Sequence, residues 1–288
     1  MVGHRGALYQ ELENTLPGFQ YCADIGVDAV ELDVFRVNQD DDDNIDEHLL
    51  VFHGGEAFPG DISDYCLGSP GRSIMNLTLT EIQQLQFNPN HDEFACPPDK
   101  IPAAKIPSLR SVLELYQNTS VVVKIELKGP GVVEPVLALV RELNMQHQCH
   151  YASFYHDRIH LIRTLHPETH PDGTHVYKTG ALFADFVPDD FIDRAQKVGA
   201  SEVHLKYDTC TVDRIRSIHA AGMKSMAWFR GPVGMSEDLS IKYCNRDVGN
   251  EDERMYQIVA RTGVQQLCCN RPDVLINMLK KTNGMRRG

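Results

Sequence analysis

The sequence contains no run of about 18 apolar residues, the length that a helix needs to cross a bilayer. It shows no secretory signal peptide, and its cysteines form no CxxC pair or zinc-finger spacing. Lysine and arginine are few beside aspartate and glutamate, 28 against 40, so the net charge is −12. We therefore expect no membrane span, no zinc finger and no nucleic-acid partner, since nucleic acids are bound by clustered basic side chains.

Disulfide signals are also missing, although the chain has eight cysteines. Several lie in apolar stretches, where a free thiol packs as a small hydrophobe, and unpaired thiols favour an intracellular location. Glycosylation triplets at Asn76 and Asn118 argue weakly for the opposite. The motif GHRG begins at Gly3 and leaves little room for a strand of about five residues, so we expect further residues upstream in the natural chain.

Short apolar segments rich in Val, Ile and Leu alternate with segments of helical period along most of the 288 residues. The predicted strands are residues 1–4, 29–35, 48–53, 121–127, 150–154, 180–184, 202–206, 224–229 and 264–269. The predicted helices are residues 16–25, 108–117, 132–146, 157–165, 188–198, 212–221, 252–262 and 272–281. This alternation predicts an α/β fold with a parallel sheet covered by helices. We expect one (β/α)8 TIM barrel domain over residues 1–288.

One predicted strand exceeds the eight places of such a barrel. Residues 36–47 are polar and hold no helical pattern, whereas a parallel crossover needs a helix or a dozen or more residues. We therefore expect residues 48–53 to return beside residues 29–35 as a hairpin-like partner.

An acidic run from Asp40 to Glu47 lies between the two strands of that pair, within the polar segment. A calcium-binding EF-hand starting at Asp40 would need Gly at Ile45 and Glu at Val51, so that interpretation fails. The run is interpreted as a solvated loop.

Residues 54–105 break the alternation of strands and helices. Turn clusters rich in Gly and Pro surround one short helical piece near residues 80–86. Long irregular segments in a compact domain are usually functional. We expect a small insertion subdomain after the second strand region, lying over one end of the barrel.

Acidic side chains occur where a TIM barrel carries its chemistry, at the C-terminal ends of strands. Glu31 and Asp33 lie two apart on one apolar strand and point the same way, which is costly without a compensating cation. Glu126, on the fourth predicted strand, could add a third oxygen, and an all-carboxylate site favours Mg²⁺ or Ca²⁺ over zinc. Salt bridges to Arg5 or Lys128 are the alternative explanation, and the Glu31–Asp33 pair alone favours neither.

Two histidines, His4 and His53, each end a short apolar strand. Imidazoles with an ordinary pKa of about 6.5 suit a reaction that needs one base and one acid near neutral pH. Because the chain has thirteen histidines, any pair is weak evidence, and a hydrogen-bonded structural histidine is the alternative for each. Their position at strand ends is what favours a catalytic pair.

Taken in order, these motifs resemble the glycerophosphodiester phosphodiesterase family over nearly the whole chain. The matching motifs are GHRG at 3–6, ENT at 13–15, VELDV at 30–34, LLVFH at 49–53, IPSLRSVLEL at 106–115, KIELK at 124–128, SF at 153–154, AWF at 227–229 and NRPDVL at 270–275. The combination of GHRG, ENT and ELDV at these spacings is far more specific than any single motif.

The resemblance implies a metal-dependent hydrolase on a barrel with an insertion after the second strand region. It implies a divalent metal ion, Mg²⁺ or Ca²⁺ with Mn²⁺ as a further option, held by Glu31, Asp33 and Glu126. It also implies that His4 and His53 are the general acid and base. The expected reaction is hydrolysis of a small glycerophosphodiester to glycerol 3-phosphate and an alcohol.

Supporting roles follow from the same resemblance. Arg5 and Lys128 are expected to contact the phosphate. Glu13 and Asn14 lie where the family's ENT loop supports the site. Trp228 matches an aromatic residue that lines the family's pocket, although a single tryptophan equally suits the core.

The chain departs from the family pattern at three places. Gly54 follows His53 where the family usually has Asp. Phe229 stands where Thr is usual, and Cys269 and Asn270 stand where Thr-Asp is usual. Every expected metal ligand and catalytic histidine is nevertheless present.

Two other functions remain alternatives at this point. A barrel of the same kind could cleave lysophospholipids or sphingomyelin-type lipids, as the related sphingomyelinase D toxins do, and an apolar groove carrying Phe58, Phe87 and Phe94 would favour lipid. An inactive family member acting as a binding module is the second alternative. Water or the substrate's own glycerol hydroxyl could be the attacking group, and the sequence carries no signal of oligomeric state.

Overall fold

The computed structural model describes residues 1–37, 48–55, 58–63, 65–69, 71–91, 94–229 and 251–285. The acidic run predicted to be a loop lies outside these residues. The strands in the described part are β1 (Val2–Gly3), β2 (Ala29–Arg36), β3 (Leu49–Val51), β4 (Val122–Leu127), β5 (Cys149–Ser153), β6 (Lys178–Phe183), β7 (Glu202–Lys206), β8 (Lys224–Trp228) and β9 (Gln266–Cys269). The helices there are α1 (Leu16–Ile25), α2 (Leu79–Gln83), α3 (Leu109–Tyr116), α4 (Val133–Glu142), α5 (His156–Leu165), α6 (Phe191–Lys197), α7 (Val212–Ala220), α8 (Glu253–Ala260) and α9 (Pro272–Met285).

Eight parallel strands close into a barrel, because β1 pairs with both β2 and β9. Around the barrel the order is β1, β2, β4, β5, β6, β7, β8 and β9. In the described residues each of these strands except β2 is followed by a helix, and β2 is followed by β3 and the insertion. The predicted (β/α)8 TIM barrel is confirmed. The hairpin prediction is also confirmed, since β3 pairs antiparallel with β2 through Val34 and Val51.

Alternation along β2 separates the two sides of the barrel wall. Val30, Leu32 and Val34 face outward into the main apolar cluster, where they pack with side chains of α1, α3 and α4. The alternate residues Glu31 and Asp33 therefore face the barrel interior. Burial of the apolar positions on this strand fixes where its two carboxylates point.

The insertion carries its own apolar cluster, separate from the one under the helices. Its single α-helix in the described residues, α2, begins with a complete capping box in which Thr78 and Glu81 satisfy each other's backbone N–H groups. Gly55, Phe58 and Gly60 line the cavity at the C-terminal end of the barrel. The insertion thus contributes part of the wall of that cavity.

Two further expectations from the sequence concern the cysteines and membrane-spanning helices. The seven cysteines in the described residues are free thiols. Within the same residues, no helix is both long and apolar enough to cross a membrane.

A buried polar layer lies inside the barrel, and two of its members, Lys124 and His204, also line the cavity. Lys124 Nζ is 2.7 Å from Glu202 Oε2, and His204 Nε2 lies 2.9 Å from the same oxygen. His150 Nδ1 lies 3.3 Å from the other oxygen. Burial opposes ionisation of Glu202, but Lys124 and the two imidazoles outweigh it and hold its pKa well below the usual value. Gly180 gives His204 its space, because a Cβ there would lie 2.4 Å from the ring.

We predict that Lys124→Met lowers the free energy of unfolding by about 3–5 kcal/mol, because it leaves the Glu202 carboxylate buried without its cation. Urea denaturation measures this loss. Lys281→Met is the matched control, since it removes an exposed ion pair with Glu253 and should cost less than about 1 kcal/mol. Equal losses in the two variants would contradict the role given to the buried pair.

Candidate active site

The residues predicted for the site come together at one mouth of the barrel. They surround a cavity of about 490 Å³. Those lining it are His4, Arg5, Glu31, His53, Glu126, Lys128 and Trp228. Asp33, Glu13 and Asn14 are buried directly behind this lining and contact it. None of the ten predicted residues lies elsewhere, because parallel strands present their C-terminal ends at a single edge.

Three carboxylates form the floor of this cavity. Asp33 on β2 pairs in register with Glu126 on β4, and Glu31 lies one inward position earlier. One oxygen from each lies within 4.8 Å of the others, and all three side chains are buried. Burial and the neighbouring carboxylates raise the pKa of Glu31 well above its usual value, and burial also raises the pKa of Glu126. Such a triad of hard oxygen donors fits Mg²⁺ or Ca²⁺.

Two cations contact these carboxylates. Arg5 Nη1 lies 3.2 Å from both oxygens of Glu13, and its Nε lies 3.4 Å from Asp33. Lys128 Nζ lies 3.0 Å from Glu126 and 3.3 Å from Asp33. The salt bridges offered as an alternative explanation therefore exist. Burial opposes ionisation of Asp33, but Lys128, His53 and Arg5 outweigh it and lower its pKa.

The charges of this group do not balance. Four carboxyl groups, those of Glu13, Glu31, Asp33 and Glu126, face the two cations, which leaves a formal excess of two negative charges. Buried charge of one sign is costly unless a counter-ion offsets it. The two cations alone therefore do not balance the four carboxyl groups, and Glu31, Asp33 and Glu126 could also hold a metal ion.

Asn14 holds Asp33 in place from the loop before α1. Its Nδ2 donates to Asp33 Oδ2 at 3.0 Å, and its Oδ1 accepts from the Asp33 backbone N–H at 3.4 Å. Asn14 and Arg5 both adopt left-handed backbone, with φ of 54° and 51°. Non-glycine residues adopt that region uncommonly, and strain of this kind concentrates at functional sites.

Burial favours the neutral form of both histidines, and each ring places Nδ1 against a hydrogen-bond partner. His53 Nδ1 lies 2.7 Å from the carbonyl oxygen of Gly54, which only accepts, so Nδ1 carries the proton. His4 Nδ1 lies 2.6 Å from Asn270 Oδ1, and its Nε2 lies 3.8 Å from Glu31. Burial, followed by Arg5, lowers the pKa of His4 to about 3 and that of His53 well below its usual value. In its neutral form the His53 ring therefore keeps Nε2 without a proton and able to accept one.

Asn270 and Glu251 are site residues that the sequence reasoning missed. Asn270 follows β9 and is fully buried, and Glu251 accepts from its backbone N–H at 2.5 Å and from its Nδ2 at 2.6 Å. Tyr256 donates its hydroxyl to the same carboxylate at 2.6 Å. Burial raises the pKa of Glu251 to about 7. In the sequence, Asn270 was noted as a departure from the family pattern, and no sequence pattern pointed to Glu251.

Aromatic side chains form the opposite wall of the cavity. Trp228 donates its indole N–H to the Phe183 carbonyl at 3.1 Å, and its ring meets Phe154 edge to face at 5.7 Å. Phe154, Tyr155 and Phe58 line the same wall and are each more than a third exposed. Trp228 thus lines the cavity and does not lie in the core.

The apolar groove of Phe58, Phe87 and Phe94 that would favour a lipid substrate is not formed by all three residues. Phe87 and Phe94 pack on each other with ring centroids 6.0 Å apart inside the insertion. Only Phe58 of the three lines the cavity. The two inner rings satisfy the insertion's own core, which the sequence does not distinguish from a binding wall.

A model of the Glycerophosphoryl diester phosphodiesterase family matches residues 4–274. The chain belongs to this family. A glycerophosphodiester phosphodiesterase of Caldanaerobacter subterraneus subsp. tengcongensis is 24% identical to the present chain. The alignment runs over 294 residues and covers 98% of each protein. A human lysophospholipase D is 26% identical over 148 residues, which are 51% of this chain and 42% of that protein.

Solved structures of other proteins have the same barrel fold. A phosphodiesterase of Oleispira antarctica, in complex with the product sn-glycerol-3-phosphate, has a TM-score of 0.71 at 20% identity, over 97% of this chain and 96% of the other. At that identity the likeness shows the fold. The family match and the full-length relative identify this glycerophosphoryl diester phosphodiesterase family member as a phosphoric diester hydrolase.

We predict that Gly54→Ala destabilises the protein and lowers turnover, because it moves His53. Gly54 has φ of 81°, and a Cβ would lie 2.5 Å from the Asp61 backbone oxygen. Gly68→Ala is the matched control, with φ of 72° and open space around its Cβ. The left-handed backbone costs both variants about 1–2 kcal/mol, and the overlap costs Gly54→Ala a further ~1–3 kcal/mol. Urea denaturation compares them, and equal costs would remove the steric argument.

Proposed function

We propose that the protein hydrolyses glycerophosphodiesters to glycerol 3-phosphate and an alcohol, with a divalent metal ion and with His4 and His53 as the acid–base pair. One observation carries the proposal: two imidazoles, each held through its Nδ1, share a cavity with a cluster of three buried carboxyl groups. Relatives add support, since a full-length one is a glycerophosphodiester phosphodiesterase and a structural neighbour holds the product.

Glu31, Asp33 and Glu126 are the proposed metal ligands. Their donors are all carboxylate oxygens, which suits Mg²⁺ or Ca²⁺, with Mn²⁺ as a further option. A cation bound there supplies positive charge for the phosphoryl oxygens and offsets the carboxylates. Asn14 would hold Asp33 in position through its two hydrogen bonds.

The remaining residues bind the anion and move protons. Arg5 and Lys128 line the cavity as cations and are proposed to contact the phosphate, with Glu13 orienting the Arg5 guanidinium. One imidazole accepts the proton of the attacking hydroxyl at its Nε2. The other, once it has taken up a proton at its own Nε2 and become an imidazolium, delivers that proton to the departing alkoxide, which is otherwise a poor leaving group. This division holds whether water or the substrate's glycerol hydroxyl attacks.

We further propose that residues 1–288 form one catalytic domain and that the insertion at 54–105 shapes the alcohol side of the cavity. The aromatic wall favours a second candidate substrate class. Phe154, Tyr155 and Trp228 could accommodate the apolar part of a lysophospholipid, and a relative over half of this chain is a lysophospholipase D. Relative rates on glycerophosphocholine and lysophosphatidylcholine separate the two classes. No hydrolysis of either, with any metal, would favour an inactive binding module.

The acid–base assignment predicts the effect of isosteric histidine variants. His4→Gln and His53→Gln should each lower kcat by roughly 10²–10⁴-fold, the usual contribution of a positioned acid or base, while the fold remains intact. Release of glycerol 3-phosphate from glycerophosphocholine measures the rate. His147→Gln, at an exposed position outside the cavity, is the control and should behave as the wild type. Wild-type rates in either cavity variant would overturn the assignment.

The metal assignment predicts a gain in stability as well as a requirement for activity. EDTA should silence the enzyme, and Mg²⁺, Ca²⁺ or Mn²⁺ should restore it. A metal concentration 100 times its Kd should raise the free energy of unfolding by about 2.7 kcal/mol. Glu31→Gln should lose this gain, while Glu114→Gln, on an exposed face of α3, should keep it. Full turnover after chelation, with no stability gain, would rule out the metal.

A further inference from the structure

A chain of three side chains runs from the loop before α8 to the cavity. The Glu251 carboxylate contacts the Asn270 amide at 2.6 Å, and the other end of that amide contacts His4 Nδ1 at 2.6 Å. All three side chains are buried. The contacts join parts of the sequence 19 and 266 residues apart.

When Glu251 is ionised, hydrogen-bonding rules allow only one order of donors and acceptors along these three side chains. The backbone N–H of Asn270 donates to Glu251 Oε1 at 2.5 Å and fixes that oxygen as an acceptor. Oε2 is then also an acceptor, so the Asn270 group facing it must be the NH₂. The amide oxygen consequently faces His4, and His4 must donate from Nδ1.

We propose that Glu251 and Asn270 are positioning residues that hold His4 in the tautomer with the proton on Nδ1 and with Nε2 free toward the substrate. This inference rests on the acid–base role proposed for His4. Asn270 by itself permits either tautomer, because its side chain carries both a donor and an acceptor. The carboxylate of Glu251 removes that ambiguity.

The isosteric variant Glu251→Gln tests the direction of the chain. Its amide oxygen must face the Asn270 backbone N–H, so its NH₂ faces the Asn270 side chain. Asn270 then turns over, donates to His4 Nδ1 and moves the ring proton to Nε2. We expect kcat to fall by roughly 10²–10⁴-fold, with KM changed less than about threefold, because the phosphate-binding side chains are untouched.

The double variant Glu251→Gln/Asn270→Asp restores the original direction. The new glutamine NH₂ donates to the new aspartate, and the aspartate accepts from His4 Nδ1–H. We expect kcat to recover most of the loss, because the order of donors and acceptors is restored even though the carboxylate has moved from residue 251 to residue 270. Glu253→Gln, on the exposed side of α8, is the matched control and should leave kcat unchanged.

Nitrogen-15 NMR of histidine-labelled protein reports the His4 tautomer. Residues that only supported the structure would leave this tautomer unchanged when substituted. The His4 signals, assigned by their loss in His4→Gln, should show a protonated Nδ1 in the wild type and in the double variant. Glu251→Gln should show a protonated Nε2. An unchanged tautomer in a folded Glu251→Gln variant, or no recovery in a folded double variant, would overturn the inference. Because the tautomer is observed directly, it remains decisive even if the wild type hydrolyses no diester.

Discussion

The site depends on one electrostatic constraint, which is the crowding of Glu31, Asp33 and Glu126 at the mouth of the barrel. Their ligand oxygens lie within 4.8 Å of one another and are buried. Arg5 and Lys128 offset part of the charge, while burial and the neighbouring carboxylates raise the pKa of Glu31. The rest of the site compensates for this negative charge. The phosphate to be bound is itself an anion, so it can enter only if positive charge predominates around it.

The barrel makes this crowding stable enough to persist. Apolar residues on the outer face of β2, such as Val30 and Leu32, are locked under the helices, so the alternate positions cannot turn away from one another. The strained backbone of Arg5 and Asn14 is held in the same way, by hydrogen bonds to Glu31 and Asp33. A rigid scaffold thus offsets the cost of a local charge imbalance that would otherwise be relieved by movement.

Much of the architecture could be predicted from the sequence, because period and spacing are local properties. The alternating segments predicted the barrel, and the missing helix before residue 48 predicted the antiparallel β3. The motifs also identified the residues that meet at the mouth. Side-chain partners were less accessible: Phe87 and Phe58 look alike in sequence, yet one packs in the insertion and the other lines the cavity. Asn270 contacts His4 across 266 residues of chain and Glu251 across 19, and no local pattern encodes such contacts.

Two polar layers inside the same barrel provide the strongest argument that the charge at the mouth is functional. In the lower layer Lys124 balances Glu202, and burial keeps the neighbouring His204 neutral, so the layer carries no formal excess. The fold can therefore bury ionised groups and balance them. At the mouth, a few residues along the same strands, it does not. Since the lower layer demonstrates that balance is attainable, the imbalance above it is not a requirement of folding, and it is consistent with the cation and the anionic substrate proposed for the site.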